Sequence, residues 1–185
     1  MKPIILIGGT SGTGKSRLAR ELCSGLCIDH RLGTGFIREI VKSETSEKEE
    51  SILYKFTFQS DDAIQNVVYQ SERLYKAIIS CVNRAKNEGT SLIIEGPHLL
   101  PKLYYKSNYD SFFILASPES KVHSRRIKGP SHGKRIISNK DFKNARSIDN
   151  YLKLEANNYK IPCLIYCDNY KDFANLITEK AKTLL

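Results

Sequence analysis

Four apolar residues, Ile4 to Ile7, run into the turn Gly8-Gly9-Thr10-Ser11-Gly12-Thr13-Gly14-Lys15-Ser16. The apolar run reads as a buried strand over residues 3–8, and SRLARELCSG after the turn reads as a helix. Strand, glycine turn and helix restrict what this chain can become more than any other stretch. Gly9 to Ser16 satisfies the phosphate-loop pattern at every position. The glycines let the backbone curl so that successive N–H groups point inward. The helix behind them offers its free N–H groups and positive dipole end to the same anion. Lys15 reaches the β- and γ-phosphates, and the Ser16 hydroxyl ligates Mg²⁺. Nucleotide contacts are therefore expected from Gly9, Thr10, Ser11, Gly12, Thr13, Gly14, Lys15, Ser16 and Arg17. The pattern specifies a nucleoside triphosphate, ATP or GTP, with Mg²⁺, and leaves the acceptor open.

Further along, apolar runs and helical periodicities alternate. Helix is expected from Lys15 to Ser24, with Gly25 as its stop, then a short strand near Leu26 to Ile28. Gly33 and Gly35 read as a loop, with a short helix from Phe36. Residues 43–51 are polar, and Tyr54 to Phe58 has no clear assignment. Asp61 to Lys86 carries a broad apolar face and ends at Gly89. Ser91 to Ile94 reads as a strand that stops at Glu95-Gly96-Pro97-His98, and Ser111 to Ala116 as the next strand. Ser117-Pro118 reads as the start of a helix reaching Ile127. Helix returns over 139–159, strand over Ile161 to Tyr166, and a closing helix over Asp172 to Leu184. The strand segments are continuously apolar, as in a parallel sheet covered on both faces. The expected class is α/β, one domain over 1–185. Gly9, Gly33, Glu95, Ser117 and Asp168 lie near strand carboxyl ends, where such sheets bind ligands.

Composition narrows the partners. A net charge of +9 favours nucleotides, phosphorylated metabolites or RNA. No stretch approaches the ~20 apolar residues of a membrane span, so no membrane partner is expected. The first residues lack a signal-peptide pattern. An odd number of cysteines, five, at irregular spacing is a poor disulfide framework, and a reducing, cytoplasmic setting is expected.

Glu95 ends the strand SLIIE, where a carboxylate orients Mg²⁺ against Ser16. His98 on the same edge is either a substrate contact or a polar surface histidine. Arg125 and Arg126 precede the basic, glycine-bearing segment 128–135, with Lys128, Lys134, Arg135 and Arg146 near it. Arginines on a mobile lid stabilise the charge of a transferring phosphoryl group and exclude water, so a lid is expected at about 125–138. Spacing does not say which arginine enters. Arg38 is a candidate for the acceptor side.

Taken together, GGTSGTGKSRLA, GFIREIV, IIEGPHLLP and a helix with HSRR resemble the archaeal 2-phosphoglycerate kinase family. The resemblance covers most of the chain in order. It implies a phosphate-loop kinase with a five-stranded parallel sheet in the order 2-3-1-4-5. It also implies ATP- and Mg²⁺-dependent phosphorylation of a hydroxyl on a small phosphorylated metabolite. Residue by residue, it implies Lys15, Arg125 and Arg126 as catalytic, Ser16 and Glu95 on the metal, and Thr34, Arg38 and His98 at the acceptor. One departure stands out: where the family has serine-threonine-aspartate, this chain has Gly33-Thr34-Gly35, without the carboxylate. That change leaves room for a larger or more anionic acceptor. Two rival readings follow: a nucleotide or polynucleotide (RNA) kinase, and a nucleotide-dependent binding or regulatory protein with weak ATPase activity.

Overall fold

The first strand, β1 (Ile4–Gly8), is buried at every position. Both of its neighbours run parallel to it, so neither face meets water. The computed structural model describes residues 2–107, 109–129 and 136–165. Around β1 the chain lays down α1 (Lys15–Leu26), β2 (His30–Gly33), α2 (Thr34–Ser43), a 3₁₀ turn (Ser51–Tyr54), α3 (Ala63–Glu88) and β3 (Leu92–Gly96). It continues with α4 (Pro101–Tyr104), β4 (Ser111–Ala116), α5 (Ser120–Ile127), α6 (Asn139–Asn158) and β5 (Cys163–Ile165). The sheet has five strands in the order β2-β3-β1-β4-β5, all paired in parallel. This is the order implied by the family resemblance.

Alternate side chains of the central strands feed two cores. Ile4, Leu6, Ile94 and Ile114 pack with Leu74, Ile78 and Val82 of α3 and Ile148 and Leu152 of α6. Ile5, Ile7, Ile93, Phe113 and Leu115 pack with Leu18, Ala19 and Leu22 of α1 on the other face. Helix ends follow local chemistry. Asp62 caps α3 by accepting from the Gln65 N–H at 2.8 Å, and Gly89 closes it at φ 63°. Ser138 and Asp141 form a reciprocal capping box on α6.

Several sequence expectations shift. Helix α1 does not stop at Gly25. It runs to Leu26, and Cys27 turns the chain at φ 50°. The second strand lies at His30–Gly33 instead of 26–28, because Leu26 ends α1 and Ile28 packs against the core beneath that helix. Helix α2 starts at Thr34, so Gly33 ends a strand and Gly35 sits inside the first helical turn. Ser117 does not cap α5, whose flanking residue is Glu119. The Ser117 N–H instead donates to Asp149 Oδ1 of α6 at 2.7 Å. The expected closing helix, Asp168, Cys167, Lys134 and Arg135 lie outside the described residues. Among the described residues no helix is long and apolar enough to cross a membrane.

Strand register fixes the site. Glu95 pairs with Ile7 on one side and Gly33 on the other, and Gly96 pairs with Gly8. The phosphate loop, the start of α2 and the turn after β3 thus leave the same edge of the sheet.

Candidate active site

The phosphate loop is held open by backbone that only glycine adopts readily. Gly9, Gly12 and Gly14 have φ of 140°, 81° and 98°. At Gly9 a Cβ would stand 2.4 Å from the Leu115 carbonyl oxygen. Gly14 sits at the start of α1 without a side-chain cap, which leaves the helix's amino end open to an anion. Lys15 is buried and donates to the Thr10 carbonyl at 2.5 Å, with Thr13 Oγ1 at 3.4 Å. Burial pulls its pKa down to about 8, against the opposing pull of Glu95 and Asp149. Ser16 and Arg17, the next two residues of α1, line the cleft with Arg20.

Two residues of this half were not found from sequence. His123 of α5 is fully buried, and its Nε2–H donates to the Ser11 carbonyl at 2.7 Å. A Cβ at Gly12 would come within 3.0 Å of the His123 ring. Burial lowers the His123 pKa, partly opposed by the bond to Ser11. The bond ties the helix that carries Arg126 to the phosphate loop. The available signal was the spacing of His123 and Ile127, the two buried residues of α5, four apart on one face. Asp149 is the second, and its carboxylate receives both the Ser117 N–H and the Lys153 ammonium, the latter at 2.6 Å.

The acceptor half is built from side chains. Thr34, at the start of α2, and His98, after β3, are both buried. Gln70 of α3 donates its amide to the Ile52 and Lys55 carbonyls and to Asn66 Oδ1. That fixes its oxygen toward His98 Nε2 at 2.9 Å, so Nε2 carries the proton and donates. His98 Nδ1 then accepts from the Thr34 hydroxyl at 2.8 Å. Burial, with Arg38 and Lys15 nearby, pushes the His98 pKa down to about 3 and keeps the ring neutral. His98 is thus not a surface histidine, and both its ring nitrogens are engaged by the protein. Gly96 allows the approach of Thr34. Its φ is +155°, and a Cβ there would meet Thr34 Oγ1 at 1.8 Å.

Arg38, on the next turn of α2, donates to the Lys55 carbonyl and to Glu39, each at 2.9 Å. It also lies over the Phe56 ring, 5.4 Å from its centroid. Glu95 faces the phosphate-loop side and has Arg31 at 3.8 Å. Gly35 has nothing within 4 Å of where a Cβ would stand. These parts converge on one cleft of about 590 Å³, lined by Gly12, Lys15, Ser16, Arg38, Glu95, His98 and Arg126 among others. The two candidate lid arginines diverge. Arg126 lines this cleft, whereas Arg125 is exposed in a separate groove with Lys121, Ser124 and Lys128.

No family model matches the chain. It is 31% identical over 180 residues to 2-phosphoglycerate kinase of Methanopyrus kandleri, covering 87% of this chain and 55% of that protein. It is 30% identical to 2-phosphoglycerate kinase of Methanocaldococcus jannaschii, covering 98% of this chain and 65% of that protein. The chain therefore spans between 55% and 65% of the length of these two relatives. In fold it is similar to shikimate kinase from Acinetobacter baumannii, with a TM-score of 0.65 at 11% identity over 99% of this chain and 94% of that one. It is also similar to deoxyadenosine kinase from M. mycoides, with a TM-score of 0.57 at 18% identity over 97% of this chain and 99% of that one. In sequence the chain is similar to archaeal 2-phosphoglycerate kinases, and in fold to shikimate kinase and deoxyadenosine kinase.

Proposed function

We propose that this chain transfers the γ-phosphoryl group of ATP, with Mg²⁺, to a hydroxyl of a small phosphorylated metabolite. The supporting observation is the shared cleft: a complete phosphate loop with its buried lysine opens onto the same space as Arg38 and His98, with Thr34 buried behind His98. The similarity to 2-phosphoglycerate kinases points the same way.

Within this reading the loop N–H groups and the amino end of α1 bind the nucleotide's phosphates. Lys15 stands beside the transferring group and offsets its negative charge. Its burial leaves the ammonium weakly hydrated, which strengthens its pull on phosphate. The residues present fit a magnesium ion. Glu95 is a largely buried carboxylate with the Arg31 guanidinium 3.8 Å away, and it lines the cleft with Ser16. Ser16 and Glu95 would hold the ion, directly or through water, and it would supply positive charge against that of the phosphates. Arg126 of α5 is the working arginine at the phosphates and Arg125 stays outside; residues 130–135 of the lid expected at about 125–138 lie outside the described residues. On the acceptor side His98 acts through Thr34, anchoring the first turn of α2 so that Arg38 faces the acceptor's anionic group.

The test is ADP release from MgATP with a panel of acceptors: phosphorylated glycerates and sugars, nucleosides, nucleotides and 5′-hydroxyl RNA. Stimulation by a small phosphorylated compound supports the reading. Stimulation by RNA alone, with binding that weakens steeply in salt, would favour a polynucleotide kinase. Tight ATP binding with no stimulation by any acceptor would favour a nucleotide-dependent binding protein.

A further inference from the structure

Helix α5 meets the phosphate loop at His123. The side chain is fully buried, and its Nε2 lies 2.7 Å from the Ser11 carbonyl oxygen. A carbonyl can only accept, so Nε2 carries the proton. Burial lowers the ring's pKa and keeps it neutral near pH 7, which leaves Nδ1 bare. Among the described residues Nδ1 has no hydrogen-bond partner. A buried, bare nitrogen is destabilising, so an apolar side chain would fill this space better. The polar ring is therefore explained by what its other nitrogen does.

That nitrogen holds a peptide that faces the nucleotide. Peptide bonds among the described residues are trans, so the C=O and N–H of the Ser11–Gly12 peptide point in opposite directions. Fixing the Ser11 oxygen against α5 turns the Gly12 N–H away from His123. This N–H donates to no protein group among the described residues, and Ser11 and Gly12 both line the cleft. Helix α5 is seated by the same contact. A Cβ at Gly12 would stand 3.0 Å from the His123 ring and 3.2 Å from Ile127 Cβ. Arg126, between these two anchors, lines the cleft. The chain entering α5 is fixed to α6, with the Ser117 N–H on Asp149 Oδ1 at 2.7 Å and the Arg146 guanidinium on the Pro118 carbonyl at 2.9 Å. His123 supplies the matching hold on the loop side.

We propose that His123 is a positioning residue for nucleotide binding. Its bond to Ser11 aims the Gly12 N–H at the nucleotide's phosphates, and the same bond sets the placement of α5 that brings Arg126 to them. Loop and helix thus take up the nucleotide together. This rests on the nucleotide-binding part of the proposed function.

The experiment is calorimetric binding of MgADP to the unmodified chain, His123→Gln and His123→Met. Glutamine and methionine side chains are nearly equal in length, and of the two only glutamine can donate to Ser11. His123→Met should raise Kd about tenfold, the scale of one lost hydrogen bond, and His123→Gln should stay within about threefold of the unmodified chain. Equal affinities of the two variants overturn the inference. If His123→Met does not fold, ¹⁵N spectra of the unmodified chain decide: the ring should be protonated at Nε2, with an N–H whose exchange slows when MgADP binds. A ring protonated at Nδ1, or exchange that ignores MgADP, overturns it too. For the link to Arg126, His123→Met should lower the kcat of ADP release in the unmodified chain and have little effect in Arg126→Ala. Losses that multiply would break that link. The binding measurement needs no acceptor, so a panel in which no acceptor stimulates turnover removes the kinase reading and leaves the role of His123 to be decided by the two affinities.

Discussion

The two halves of the cleft are made of different material. The phosphate half is backbone, in which glycines at positive φ, the amino end of α1 and one lysine come from eight consecutive residues. The acceptor half is side chain, drawn from α2, the turn after β3 and α3, and locked by the chain from Gln70 through His98 to Thr34. A backbone cradle suits a ligand that many proteins share, because every residue has an N–H to offer. A side-chain wall suits a ligand to be told apart from others, because each position can change without disturbing the rest.

Substitutions can break or sharpen this contrast. The largest effect is expected at Lys15, the buried lysine of the phosphate loop. Lys15→Ala should lower turnover by about 100-fold or more, since the lost charge acts in the transition state. Turnover within a few fold of the unmodified chain would refute its role. Next comes Gly96→Ala, which strikes the acceptor half through its packing. A methyl group would collide with Thr34 in backbone already at φ +155°. A loss of about 2 kcal/mol is expected in denaturant unfolding, and unchanged stability would mean that Thr34 and Gly96 are not so closely packed.

Arg126 and Arg125 make a paired test. Arg126→Ala should cost about tenfold in kcat, the scale of one charge-assisted contact, and Arg125→Ala should change kcat far less. Equal effects would show that cleft lining does not identify the working arginine. The fourth test is pH. The unfolded chain protonates His98 below about 6.5, whereas the folded chain resists until about 3. The unfolded state therefore binds more protons in that window, and stability falls as pH drops, by up to about 1.4 kcal/mol per unit. His123, shifted in the same direction, adds to it. Melting curves at pH 7 and pH 5 should separate more for the unmodified chain than for His98→Gln, and identical separations would remove His98 as the source.

Sequence legibility divides along the same line. The phosphate half could be read because its residues are consecutive and each type has one physical reason to be there. The strand order came from family resemblance, and pairing in the structure agrees. His98 could not be settled, because its partners Gln70 and Thr34 lie 28 and 64 positions away. Gly33 and Gly35 read as a loop because glycine is a poor helix former. The buried side of α2, Thr34, Ile37 and Arg38, overrides that preference. His123 carries no readable role in the sequence, because its partner Ser11 lies 112 positions away.

Gly35 has a thermodynamic consequence of its own. It occupies a solvent-facing helical position with ordinary backbone angles and open space in the direction of a Cβ. Alanine there would restrict the unfolded chain and favour the helix by about 0.5–1 kcal/mol. Gly35→Ala should therefore raise the melting temperature, and a lower one would reveal strain at the site. The native chain forgoes that increment at the mouth of its cleft. The position is a vacancy that can be filled without refolding the protein, which makes it the natural place to redirect acceptor choice by a single substitution.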